Sequence, residues 1–91
     1  MNNSDQFNKL KEQLEKEDSW PLVYMFKFII PADNKKIALV ETMFSSEAVI
    51  SQKASGKGNY ISITVKEVML DVPSIIDIYT RASRIPGVIS L

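Results

Sequence analysis

The chain contains neither cysteine nor histidine. Without cysteine it forms no disulfide, ligates no metal through sulfur and has no thiolate nucleophile. Without histidine it lacks the side chain that titrates near neutrality, which is also the commonest general base and metal ligand. Glycine is scarce, three in 91 residues, so each one is a candidate for a backbone requirement. Neither sign of charge dominates: 11 basic and 11 acidic residues cancel, and no global field draws the chain to nucleic acid or anionic lipid. No apolar run is long enough to span a bilayer. The opening MNNSDQ has no basic or apolar leader character, so the expected compartment is the cytoplasm and no membrane partner is expected.

What remains is an ordinary globular composition, 45% apolar and 24% charged, in a length that suits one domain. Residues 4–17, SDQFNKLKEQLEKE, read as a helix. Ser4 or Asp5 can cap it, and Phe7, Leu10 and Leu14 form a narrow apolar stripe. The stretch EDSWP breaks it before Pro21. Residues 1–19 are therefore expected to be a helical appendage to a domain spanning 20–91. Residues 22–30, LVYMFKFII, are apolar, aromatic and β-branched, as in a central strand. The period of two sets Tyr24, Phe26, Phe28 and Ile30 toward the core and Val23, Met25, Lys27 and Ile29 away from it.

A helix over about 34–45 follows, capped by Asp33, with Ile37, Val40, Met43 and Phe44 as its stripe. Two alternating strands come next, EAVISQKAS and YISITVKE. Asp71 caps a second helix with Pro73 in its first turn and a stripe of Val72, Ile75, Ile76, Tyr79 and Ala82. IPG stops that helix, and VISL is a short last strand. The order strand–helix–strand–strand–helix–strand predicts an α+β domain of the split βαβ kind: a four-stranded antiparallel sheet with two helices on one face. Right-handed crossovers place the first and third strands in its centre.

The glycines concentrate in SGKGNY, residues 55–60. A phosphate-binding loop would need wider glycine spacing, a Ser or Thr after the lysine and a helix behind it; a strand follows here. An RNA-recognition sheet would need stacking rings, whereas Ser62 and Thr64 are polar and Tyr60 stands alone. A hairpin explains the stretch. Pairing residues whose numbers sum to 115 sets Ile50, Gln52 and Ala54 opposite Val65, Ile63 and Ile61, and a one-residue slip would mix the faces. The turn then comprises Gly56, Lys57, Gly58 and Asn59, or only its middle pair.

With this hairpin in place the chain resembles the YbeD-like family of small bacterial proteins of unknown function. The Ser-x-Lys-Gly-Asn-Tyr stretch, the Ser-x-Thr strand after it, the Trp20-Pro21 entry and Lys27 carry the resemblance, which covers about residues 20–91. It implies a ferredoxin-like fold close to the ACT regulatory domains, with no enzyme activity and no established ligand. ACT domains bind amino acids beside a glycine in the first strand–helix loop; here that loop reads Pro31-Ala32-Asp33-Asn34, without one.

The scattered carboxylates and unassisted serines assemble no catalytic set, so neither enzyme activity nor a cofactor is expected. The helix-free face is the candidate interaction surface: Lys27, Lys53 and Lys66 with Ser62 and Thr64, over Val23 and Met25. Taken singly, the lysines read as ordinary solvated charges. The apolar strip beneath them calls for a cover, either the leading helix or a second subunit. The first functional expectation is a non-catalytic regulatory or protein-interaction domain using this face or an edge strand, with an unknown protein or a second copy as partner. An ACT-like sensor binding a small-molecule effector between subunits is the alternative, and nucleic-acid binding is disfavoured.

Overall fold

The computed structural model describes residues 3–91, with side chains from Phe7 onward; the cap expected at Ser4 or Asp5 lies outside the described side chains. The element order is α1 (Asn3–Glu15), β1 (Leu22–Pro31), α2 (Asn34–Glu41), β2 (Val49–Ala54), β3 (Tyr60–Met69), α3 (Val72–Ser83) and β4 (Ile89–Ser90). The fold is α+β, with one open four-stranded antiparallel sheet and three helices. The strand order is β2-β3-β1-β4.

The sheet buries one face. Phe26, Phe28, Ile30, Ile63 and Val65 are wholly buried, and their alternation with exposed neighbours is the period-two signature of a half-buried sheet. Val40 from α2 and Ile75, Ile78, Tyr79 and Ala82 from α3 complete that core. Each of these helices starts at an aspartate. Asp33 Oδ1 accepts from the Lys35 amide at 2.9 Å and the Lys36 amide at 3.4 Å. Asp71 Oδ1 accepts from the Ser74 amide at 2.9 Å and the Ser74 hydroxyl at 2.6 Å. These bonds hold the Asp71 carboxyl below its ordinary range. On α3 the buried stripe includes Ile78 in full, whereas Ile76, expected inside, is only partly covered.

Two expectations need correction. The leading helix does not cover the helix-free face. It packs on α3, with Leu14 in the core and the Phe7 and Tyr79 ring centroids 6.4 Å apart. The helical layer thus holds three helices where two were expected, with Phe7 and Leu10 packed against the same core that buries Leu14. The second helix also ends at Glu41 and does not reach 45. Beyond it Met43 and Phe44 still turn inward through amide bonds to Val40 and Glu41 carbonyls. Ser45 is then captured by Glu67 Oε1, which accepts from its amide at 2.8 Å and its hydroxyl at 2.6 Å.

Tyr79 stands at the junction of α1, α3 and β1. Its hydroxyl and that of Tyr24 share a hydrogen bond of 2.9 Å, and its ring lies 5.5 Å from Phe26. Burial first, and then the Tyr24 hydroxyl, push its ionisation above the ordinary 10.0. The unfolded chain therefore releases this proton before the folded one does, so the contribution is complete below pH 10 and is lost as pH rises beyond it. Urea midpoints measured in alkali should fall above about pH 10, and Tyr79→Phe should flatten that fall. Leu14→Ala should cost about 2–3 kcal/mol in the same assay; no measurable change would mean that α1 is dispensable to the core.

Candidate functional site

The other sheet face is built by register. Lys27 of β1 lies opposite Thr64 of β3, which lies opposite Ser51 of β2. One row toward the β1 amino end, Met25, Lys66 and Val49 align; one row the other way, Ile29, Ser62 and Lys53 align. Val23 opposite Val68 adds a further row, and Ile89 of β4 lies beside Ile29. Partners in an antiparallel ladder share a face. Val23, Met25, Lys27, Lys53, Ser62, Thr64 and Lys66 therefore all stand on one side. The sequence reading did not include Val68, Ile89 or Leu91; one more step of the Ser62-Thr64-Lys66 alternation would have reached Val68.

Apolar exposure concentrates here. Val23 is 66% exposed, Met25 56%, Val49 67% and Val68 57%, and Tyr60, Ile89 and Leu91 are exposed as well. Of the exposed large hydrophobic side chains among the described residues, only Leu39 lies outside the strands and their immediate extensions. Set into this ground are three lysines. Strand spacing places the Lys27 and Lys66 backbones roughly 8 Å apart and Lys53 roughly 12–14 Å from each. No Asp or Glu occupies an outward position of any strand, because Glu67 faces the other way, opposite Tyr24. Among the described residues, ion pairs form at Lys11–Glu15 and Arg81–Asp77, both on helices; the face lysines join neither. The face thus offers ammonium and hydroxyl groups on an apolar floor, and no acid, imidazole or thiol.

The hairpin closes one end of this face. The Ser55 amide donates to the Tyr60 carbonyl at 2.8 Å and the Gly58 amide to the Ser55 carbonyl at 2.9 Å. The Ser55 hydroxyl accepts from the Tyr60 amide at 3.3 Å. Residues 56–59 form the four-residue loop, and Gly58 takes φ +74°, the left-handed region that a Cβ disfavours. The amides that a phosphate would need are therefore partly engaged within the turn. A shallow depression of about 280 Å³ sits between the loop and the sheet, with Ile29 as floor and Lys53, Tyr60 and Ser62 around it. No metal-sized cluster of acidic residues occurs among the described residues, and none of their helices is long and apolar enough to cross a membrane.

No protein-family model, curated protein or solved structure matches the chain.

The two loop glycines should separate in a stability assay. Gly58→Ala should cost about 1 kcal/mol because of its positive φ. Gly56 has negative φ or extended backbone and open space around it, so Gly56→Ala should leave stability unchanged or raise it by about 0.5 kcal/mol. Equal losses at both positions would contradict this turn geometry.

Proposed function

We propose that the chain is a non-catalytic interaction domain of ferredoxin-like fold, working in a regulatory role through its helix-free sheet face. The order β2-β3-β1-β4, with helices joining β1 to β2 and β3 to β4, supports that fold assignment. The resemblance of SGKGNY and its strand to YbeD-like proteins points the same way. The observation that carries the function is the apolar patch centred on Val23, Met25, Val49 and Val68, with three lysines and no carboxylate among them. Patches of this kind on a sheet mark a binding surface.

The charge pattern selects the partner. Two copies meeting face to face would bring six ammonium groups together without a counter-charge, a juxtaposition that costs affinity. An acidic protein surface with exposed aliphatic side chains complements the patch on both counts. An ACT-like effector site is the weaker reading, since the β1–α2 loop lacks the glycine that such sites use. Affinity capture from a cell extract, followed by titration of the captured protein, tests this reading. Lys27→Glu combined with Lys53→Glu should weaken the captured partner by at least about tenfold, equivalent to ~1.4 kcal/mol, with the melting temperature unchanged. A partner set that is indifferent to both reversals would remove the sheet face from the function.

A further inference from the structure

The depression beside the hairpin brings apolar and cationic groups together in one small space. Ile29, Ser62 and Lys53 form a single row across β1, β3 and β2. Tyr60 stands one row nearer the loop, opposite Pro31. Ile29 and the Tyr60 ring give the depression its apolar surface. Lys53 is the one charged residue of its lining, and it enters no ion pair among the described residues. Hydroxyl groups complete the wall. The Ser55 oxygen accepts from the Tyr60 amide at 3.3 Å, which leaves its proton free to donate, and Ser62 and Tyr60 each carry a further O–H.

Size and charge together narrow the occupant. The volume of about 280 Å³ lies just below the range of pockets that enclose a whole small-molecule ligand, roughly 300–1,000 Å³. It has room for one residue of a partner. One ammonium group balances one carboxylate, whereas a phosphate, with nearly twice the charge, would be left under-compensated. The occupant must therefore carry an apolar group and a single negative charge side by side. An internal glutamate offers only a short aliphatic stem to Ile29 and Tyr60. A chain-terminal leucine or phenylalanine bears its carboxylate on the same Cα as a large apolar side chain, so it meets both demands at once. Capture of a terminal carboxylate is a recurrent mode of peptide recognition.

We infer that this depression anchors the C-terminal residue of a partner protein. Its apolar side chain would lie on Ile29 and the Tyr60 ring, and its carboxylate would meet Lys53 and the surrounding hydroxyls. The residues before it would run out over Thr64 toward the exposed valines of the same face. This rests on the reading that the domain binds a partner protein through its open face, and it names the group that the partner presents.

The probes are acetylated tetrapeptides, Ala-Val-Ala followed by Leu or Phe with a free carboxylate, titrated into the full chain while its amide NMR signals are followed. At least one should bind with Kd below about 1 mM and shift the Ile29, Gly56 and Ser62 amides. Amidation of the peptide terminus should weaken binding at least about tenfold. Lys53→Met, which keeps the aliphatic stem and removes the charge, should do the same to the acid peptide. Lys66→Met should change affinity by less than about twofold, because Lys66 lies four residues along β3 from Ser62, roughly 13 Å and beyond a screening length at 0.15 M salt. Equal binding of acid and amide overturns the proposal, as do equal losses at Lys53 and Lys66, or no peptide bound below about 1 mM. An amidated tetrapeptide ending in Glu that binds as well as the acid peptides would assign the site to an internal side chain and overturn it. Acetyl-leucine alone, bound as tightly as the peptide ending in Leu, would assign it to a free acid and overturn it too. A captured partner that still responds to Lys27→Glu with Lys53→Glu, after the peptides have failed, overturns the terminal anchor and leaves the interaction-domain reading standing.

Discussion

The antiparallel ladder between β1 and β3 sets every other relation in the molecule. It runs unbroken from the Leu22–Met69 pair to the Pro31–Tyr60 pair. Because side chains alternate, one choice of register places Phe26, Phe28, Ile63 and Val65 together and Lys27, Thr64 and Lys66 on the reverse. A slip of one residue would bury Lys27 among aromatic rings, where an ammonium without a counter-ion is very costly. The lysines therefore define the register as firmly as the phenylalanines do. The charges on the open face thus also exclude the competing register.

The helical layer answers to the same constraint. With one sheet face closed to charge, all large apolar helix surfaces must gather there, and α1 follows α2 and α3 to that side. Tyr79 is where this crowding is satisfied. Its ring joins Phe7, Phe26 and Phe28, and its hydroxyl has the Tyr24 hydroxyl as partner, so a polar atom enters the core without being orphaned. The opposite face receives no such cover, and its valines stay in solvent.

Strand content, the one-faced core and the pairing of β2 with β3 were legible because alternation is a local property, carried by Ile50, Ile63 and Val65 themselves. The seat of α1 was not. Phe7, Leu10 and Leu14 state that the helix has an apolar stripe but not which apolar surface receives it, and two surfaces were on offer. The end of α2 was hidden for a related reason. Met43 and Phe44 continue the helical stripe, whereas past Glu41 the chain runs on in tighter turns to Ser45, whose amide and hydroxyl donate to Glu67, 22 residues further along. On the candidate surface, Lys27, Lys53, Lys66, Ser62 and Thr64 followed from parity. Val68 lay one step further along the same alternation, whereas Ile89 needed the position at which β4 joins β1.

That position has a steric origin. Gly87 sits at φ +85°, and a Cβ there would come within 2.8 Å of the Pro31 side chain. Only glycine lets the chain pass so close to the end of β1, and the Val88 amide, bonded to the Ile85 carbonyl at 3.2 Å, completes the turn. The next residue, Ile89, must then enter the sheet beside Ile29. At one residue per rung, the strand is level with Lys27 by Leu91. The Gly87–Pro31 contact thus sets the rung at which β4 enters the sheet beside β1.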